Sequence, residues 1–328
     1  MAERFAAIPQ PRLRIPWTAD MADQTPPETL PPPPPAPRSA VFFGPDGLRA
    51  GWRVAIFFIL YAIFQAIWVG IMAAAGLPVH PAGHELRAGL MAIFEAGMFA
   101  AAVAAAAVMS WVERRSMADY GLPLAKAFRG QFWYGALWGF VALSALLLAL
   151  RANGNFYFGG LALRGAPLAA AAASWAGVFV LVGFAEEYLL RGYALVALTR
   201  GAGFWPAAVI LSVIFGALHL GNRGEDVLGA LSAGLIGFFF CFTVRRTGQL
   251  WFAVGFHFLW DYSETFLYSV PDSGLLPSRH LILSSFHGSH WLTGGSVGPE
   301  GSLLVFPLIA ILFWLFARAY RGVKFPPA

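Results

Sequence analysis

The sequence predicts an all-α protein, a polytopic bundle of about eight transmembrane helices that follows a proline-rich N-terminal tail. Of the 328 residues, 58% are hydrophobic and 12% are charged, whereas roughly 25% are charged in soluble domains. The mean hydropathy is +0.64. The apolar residues form runs close to the ~20 residues that a helix needs to cross a bilayer. This composition excludes an ordinary soluble enzyme, and the single Cys241 excludes an intramolecular disulfide.

Residues 1–48 differ in composition from the rest of the chain. They contain Pro26, Pro27 and an unbroken run from Pro31 to Pro35, with few large apolar residues. Such a stretch favours polyproline II and cannot bury a core. We therefore expect a disordered tail over 1–48 and a transmembrane domain over 49–328.

The distribution of basic residues between the spans predicts the orientation of the protein in the membrane. Most of the 22 Lys and Arg residues lie in the tail and in alternate connections, so the positive-inside rule places both termini in the cytoplasm. Membrane orientation therefore accounts for the excess of basic over acidic residues, and we expect no nucleic-acid partner. Arg far outnumbers Lys, which is typical of GC-rich bacterial genes, and we expect a bacterial inner-membrane protein. The predicted spans are 52–76, 88–112, 132–150, 168–199, 205–220, 227–244, 250–270 and 302–320.

The fourth span carries charges where its apolar pattern requires Leu or Ala. Ionisable residues inside a span are costly, so each is a functional hypothesis. Glu187 and Arg191 lie four residues apart with the acid first, which favours an ion pair on one helix face. Glu186 points about 100° away and has no partner on its own helix. An unpaired carboxylate at this depth is a candidate general base.

The fifth span brings a histidine to the same depth. Residues 201–206 form a Gly- and Pro-containing turn between the fourth and fifth spans. Glu186 precedes Arg200 by as many residues as His219 follows Trp205, a distance of about 21 Å in a helix. A helical hairpin therefore places Glu186 and His219 side by side.

The seventh span presents His257 and Asp261 four residues apart, on one helical face. The aspartate could orient the imidazole, both could face a substrate, or the two could form a structural clamp between helices. Because three spans each carry such residues, we expect one shared polar cavity. Glu95 stands alone in the second span, and we expect a structural role for it.

These residues form a pattern that resembles a known family. The pattern resembles the CPBP family of CAAX proteases and bacteriocin-processing enzymes, which includes the type II CAAX prenyl endopeptidases, over roughly residues 165–265. The resemblance implies an eight-helix intramembrane protease. Its motifs in this chain are Glu186-Glu187-x-x-x-Arg191, Phe215-x-x-x-His219 and His257-x-x-x-Asp261.

The resemblance also implies a role for each motif residue. Glu186 and His219 would activate the water that attacks a peptide carbonyl. Glu187, held by Arg191, would shape the site.

For the seventh span, the resemblance implies that His257 and Asp261 face the developing oxyanion. The prenyl proteases commonly carry Asn at the last position, so Asp261 is either protonated or orients His257. Whether a metal takes part stays open. Glu186, His219 and His257 could bind zinc and leave a position for water, or they could act without metal.

We therefore expect an intramembrane endopeptidase acting on a membrane-associated peptide or protein that is hydrophobic, leader-type or lipidated. Two other function classes fit buried ionisable residues. One is a proton-coupled transporter, for which an internal repeat is expected and none is evident. The other is a non-catalytic membrane scaffold or immunity protein, which would not need the complete motif set.

Overall fold

A computed structural model describes residues 41–44, 47–78 and 85–325, and these residues are mostly helical. Phe42–Ala328 forms one compact unit. Most of the predicted disordered tail lies outside the described residues, so the tail and the division of the chain after residue 48 stay predictions.

Every predicted apolar segment falls on a helix. Five helical segments are long and apolar enough to cross a membrane: Ala50–Ala74, Ala88–Glu113, Gly130–Ala152, Gly165–Ala202 and Val227–Thr247. Three further helices are shorter, with 16, 12 and 15 residues: Phe204–His219, Trp251–Tyr262 and Val305–Ala319. The count of eight spans therefore stays a prediction. The helices are α1 Ala50–Ala74, α2 Ala88–Glu113, α3 Gly130–Ala152, α4 Gly165–Leu189, α5 Leu195–Ala202, α6 Phe204–His219, α7 Val227–Thr247, α8 Trp251–Tyr262, α9 His290–Thr293 and α10 Val305–Ala319.

Short strands join segments that the all-α prediction left as loops. The longest pair, Phe156–Leu161 with Ile282–Phe286, is antiparallel and aligns Phe156 with Phe286. Two aromatic side chains therefore meet across the strands, with 5.2 Å between their ring centroids. Aromatic residues favour strands where they pack on a neighbour. The strands are β1 Phe43–Gly44, β2 Gly47–Leu48, β3 Glu85–Leu86, β4 Phe156–Leu161, β5 Leu276–Pro277 and β6 Ile282–Phe286, paired β1 with β2, β3 with β5 and β4 with β6.

The predicted fourth span is not one regular helix. After α4, residues Leu190–Ala194 form a π-helical turn in which Gly192 leaves the helical region at φ −79° and ψ −115°, and α5 follows directly. π-turns are rare and concentrate at functional sites. This turn contains Arg191, the basic member of the predicted ion pair.

Helices α3 and α8 pack with their backbones almost in contact. A Cβ atom added at Gly135 would come within 2.0 Å of the carbonyl oxygen of Phe252, and one at Gly255 within 2.0 Å of that of Phe132. Small residues allow this approach between membrane helices. The packing sets the position of α8, which carries two of the motif residues.

Helix α1 presents a stripe of large apolar side chains to its surroundings. Ile59, Ile63 and Ile67 follow one another by four residues and have exposed fractions of 58%, 50% and 54%. A contiguous exposed apolar face of this kind is costly in water and marks contact with a membrane or a partner. The five long apolar helices favour the membrane.

Opposite charges meet at one end of the bundle. A carboxylate oxygen of Glu113, at the end of α2, lies 3.8 Å from Arg53, 3.8 Å from Arg115 and 3.9 Å from Arg200. The hydroxyl of Tyr193 donates to the same side chain. These contacts join the start of α1 with the ends of α2 and α5, at the end that the positive-inside rule assigns to the cytoplasm.

We predict that Gly135→Ala destabilises the protein by about 1–3 kcal/mol, because the new methyl group forces α3 away from α8. The measurement is thermal unfolding in detergent. The control is Gly177→Ala in α4, where no atom lies within 4 Å of the added Cβ. Alanine favours a helix over glycine by ~1 kcal/mol, so the control should be neutral or stabilised. Equal stability of the two variants would contradict the close packing.

Candidate active site

A cavity of about 150 Å³ lies among helices α2, α4, α6, α7, α8 and α10. Most of its wall is apolar, contributed by residues such as Phe179, Phe240 and Ile309. Its polar lining comes from separate parts of the chain: Glu95, Glu186, His219, Asn222, Ser232, His257, Asp261, Asp272, Ser273 and Glu300. The shared polar cavity expected from the motifs of the three spans is therefore present.

Glu186 faces this cavity from α4. Its side chain is 26% exposed, whereas that of the adjacent Glu187 is 0% exposed. The buried Oε2 atom of Glu186 has no hydrogen-bond partner among the described residues. The two adjacent glutamates therefore differ as their helical spacing predicts, one directed into the packed interior and one into the cavity.

Glu187 and Arg191 form the predicted ion pair. Nη1 of Arg191 donates to Oε1 of Glu187 at 3.2 Å, and both side chains are fully buried. The guanidinium carbon lies 4.2 Å from the ring centroid of Phe215, in cation–π contact. Gly237 of α7 makes room for the guanidinium, because a Cβ there would come within 2.2 Å of Nη2.

His257 lies among three carboxylates. Its Nδ1 atom lies 3.1 Å from Oε1 of Glu187 and is hydrogen-bonded to it. Its Nε2 atom lies 3.3 Å from Oδ2 of Asp261 and 3.6 Å from Oε2 of Glu186. In the described part of the chain, Nε2 forms no hydrogen bond in this arrangement. The ring therefore has one anchored nitrogen and one that remains available.

His219 reaches the same cavity from the end of α6. Its Nδ1 atom lies 2.8 Å from the backbone carbonyl oxygen of Phe215. A carbonyl oxygen only accepts, so Nδ1 carries the proton and Nε2 of the neutral ring is an acceptor. His219 and Glu186 therefore both line the one cavity, and their equal depth in the membrane stays a prediction.

The proposed zinc ligands do not fit a zinc ion as they stand. Zinc bonds of ~2.0–2.2 Å place ligand atoms within about 3.5 Å of one another in a tetrahedral site. Among the described residues, three side chains of the types that bind metals have ligand atoms within 4.8 Å of one another. They are Glu264, Asp272 and Glu300, none of which belongs to the motifs. Glu186, His219 and His257 would have to move to bind a metal together.

Several cavity residues were not identified from sequence. For Glu95 the sequence predicted only a structural role, although an isolated acid in an apolar span can also indicate a functional site. Glu95 is 8% exposed and lines the cavity. Asp272 and Glu300 lie in loops, where an acidic residue does not by itself indicate a site.

Two loop carboxyl groups have raised pKa values. Burial, and then the neighbouring Glu300, raise the pKa of Asp272 to about 8. Burial and Glu300 likewise raise the pKa of Glu225, in the α6–α7 loop, to about 7.

We predict that Arg191→Ala destabilises the protein by ~3–5 kcal/mol, because it leaves the buried Glu187 carboxylate without its cation. The double variant Glu187→Gln with Arg191→Met should recover much of this loss. The measurement is thermal unfolding together with yield from membranes, with Arg318→Ala on the exposed face of α10 as the control. If Arg191→Ala were as stable as Arg318→Ala, the ion pair would have no structural importance.

One protein family matches the part of the chain that contains these residues. Residues 168–263 match the model described as Type II CAAX prenyl endopeptidase Rce1-like. The match covers less than half of the chain but includes all the motif residues of α4, the π-turn, α6 and α8. No curated protein and no solved structure matches the chain.

The match and the helices agree on the class of protein. Five helices long and apolar enough to cross a membrane and a match to a family of membrane endopeptidases support an integral membrane protein. The resemblance inferred from the motifs is thereby confirmed: over residues 168–263, this chain carries the sequence pattern of the Rce1-like type II CAAX prenyl endopeptidase family.

Proposed function

We propose that this protein is an intramembrane endopeptidase that hydrolyses a peptide bond of a membrane-associated substrate with a water molecule activated by Glu186 and His219. The observation that carries the proposal is the convergence of these two acceptors with His257 and Asp261 on one cavity inside the helix bundle. The family match supports the same reaction class.

The water-activating pair consists of two acceptors. Oε2 of Glu186 has no hydrogen-bond partner in the described part of the chain, and Nε2 of His219 is left free by the bond from Nδ1 to Phe215. A water molecule has two protons to donate, so both side chains can hold and orient it. As its oxygen attacks the carbonyl carbon, Glu186 takes one proton as general base and returns it to the leaving amine.

The developing oxyanion needs a donor on the opposite side of the carbonyl. His257 meets this requirement, because Nδ1 is anchored on Glu187 at 3.1 Å while Nε2 makes no hydrogen bond within the described residues. Asp261, 3.3 Å from Nε2, orients the protonated ring and stabilises its charge. Of the two roles open to Asp261, we therefore propose orientation of His257.

Glu187 and Arg191 act on the reaction through His257. Oε1 of Glu187 contacts both Arg191, at 3.2 Å, and His257, at 3.1 Å. This shared oxygen links α8 to α4, so the distance from His257 to Glu186 depends on it. We propose that both residues position the site and that neither touches the substrate.

The substrate has to bring its scissile bond into the bundle. The cavity lies inside the helix bundle and a little over half of its lining residues are apolar, so a fully hydrated peptide would lose water there at a cost that the polar lining offsets only in part. A peptide with an apolar segment or an attached lipid avoids that cost. We propose hydrophobic or leader-type peptides at a bacterial inner membrane, with both termini of the enzyme in the cytoplasm.

A peptide-cleavage assay distinguishes this proposal from the two other function classes, a transporter and a non-catalytic scaffold. A proton-coupled transporter or a non-catalytic scaffold could keep the same buried groups, but neither would cut a peptide. The decisive comparison uses purified wild-type protein and its Glu186 variant in detergent, with a membrane-derived peptide library as substrate and mass spectrometry as the readout.

We predict that Glu186→Gln and His219→Ala each lower the rate of peptide cleavage by at least roughly 10²-fold, the usual contribution of a general acid or base. Thermal unfolding should show that both variants remain folded. The matched control is His287→Ala, at an exposed histidine in the loop between β6 and α9, which should cleave at the wild-type rate. Turnover near the wild-type rate in either site variant would refute water activation by this pair.

We predict that cleavage depends on the apolar part of the substrate. Removing the apolar residues on one side of the scissile bond should raise KM and remove activity. The remaining peptide gains no hydrophobic free energy when it moves from water into the bundle. The control is a peptide of equal length in which the apolar residues are reordered. Efficient hydrolysis of a short, fully polar peptide would contradict a site buried in the bundle.

A further inference from the structure

Three carboxylates outside the motif set meet at the rim of the cavity. Glu264 lies in a π-helical turn, Ser263–Leu267, that continues α8. Asp272 lies in the loop after it, and Glu300 in the short 3₁₀ turn Pro299–Gly301 before α10. One oxygen from each of the three side chains lies within 4.8 Å of the other two.

Glu264 is the most unusual member of this group. It is 0% exposed, and both of its carboxylate oxygens are buried without a hydrogen-bond partner. Trp260 lies beside it, but the indole N–H donates to Oε1 of Glu300 at 3.0 Å. An isolated carboxylate in a protein interior is costly unless something neutralises it.

The neighbouring protein groups do not supply that neutralisation. Among the ion pairs of the described residues, no Arg, Lys or His contacts Glu264, Asp272 or Glu300. The groups that do contact them are neutral donors. The hydroxyl of Thr265 donates to Oδ2 of Asp272 at 2.9 Å, and that of Ser273 donates to Oε2 of Glu300 at 2.7 Å.

These neutral donors orient the carboxylates in the way that outer contacts orient metal ligands. The ligand set contains oxygen atoms alone, which suits a hard cation such as Ca²⁺ or Mg²⁺ rather than zinc or copper. Oxygens bound to Ca²⁺ at 2.3–2.6 Å can be up to about 5 Å apart, whereas Mg²⁺ requires shorter bonds and near-ideal octahedral geometry. Separations of at most 4.8 Å are compatible with Ca²⁺, and ligands from a helix extension, a loop and a short turn suit its flexible coordination better than the near-ideal octahedron of Mg²⁺.

We propose that Glu264, Asp272 and Glu300 form a calcium site at the rim of the cavity. The bound ion would tie together the end of α8, the following loop and the turn before α10. Asp272 and Glu300 also line the cavity that contains Glu186 and His257, so the ion would hold the loops that carry them in place beside it. This site does not depend on the proposed peptidase activity.

The test measures calcium binding to the full-length protein, purified in detergent and freed of divalent ions with EGTA. Titration calorimetry with CaCl₂ should show one ion per chain, with weaker binding of MgCl₂. The melting temperature should rise with CaCl₂, because a ligand that binds the folded state stabilises it. A protein that binds no Ca²⁺ and gains no thermal stability from it would overturn the proposal, and a proton shared among the carboxylates would then neutralise the site.

Variants assign the binding to these residues. Glu264→Gln and Glu300→Gln should each weaken Ca²⁺ binding at least about tenfold, since affinity depends on the number of charged ligands. Glu264→Gln removes an uncompensated buried charge, so in EGTA it should be at least as stable as the wild type. The matched control Asp119→Asn, in the loop after α2, should bind Ca²⁺ normally. Unchanged affinity in both glutamine variants would place the ion elsewhere.

Repeating the titration in the Glu186→Gln background separates this proposal from the catalytic one. That variant should bind Ca²⁺ with wild-type affinity even though its rate of peptide cleavage is expected to fall at least roughly 10²-fold. A protein that binds no Ca²⁺ would therefore not contradict water activation by Glu186. A protein that cleaves no peptide would likewise not contradict the calcium site.

Discussion

The structure depends on one oxygen atom, Oε1 of Glu187, which contacts both the guanidinium of Arg191 and the imidazole of His257. A carboxylate this deeply buried persists only when its charge is balanced. That requirement explains several otherwise unrelated features. The π-turn that contains Arg191, the absence of a side chain at Gly237 and the Phe215 ring against the guanidinium all accommodate the same buried pair.

The arrangement also separates a paired, buried carboxylate from an unpaired one that lines the cavity. Helical spacing turns Glu187 into the interior and leaves its neighbour Glu186 on the cavity with an unpartnered oxygen. His257 is held from the other side by the glycine-mediated contact of α3 with α8, where Gly135 and Gly255 bring two backbones together. Rigid backbone packing of this kind keeps a catalytic geometry more reliably than loops do.

Charge is distributed unevenly between the two ends of the bundle. At one end, Glu113 contacts three arginines. At the other, Glu264, Asp272 and Glu300 crowd together without a basic side chain in ion-pair contact, in the part of the chain that the structure describes. Because Asp272 and Glu300 also line the cavity, whatever neutralises these acids also changes the electrostatic potential inside it.

Local periodicity was enough to predict much of this protein from its sequence. Apolar runs predicted the helices, and a spacing of four residues predicted the Glu187–Arg191 pair, because both depend only on helix geometry. The strand pairs, the π-turn and the rim carboxylates could not be predicted in this way. Glu264, Asp272 and Glu300 come from a helix extension, a loop and a short turn, and no periodic pattern relates them. Only the tertiary structure decided that they meet, because loop paths are determined by contacts between residues far apart in the chain.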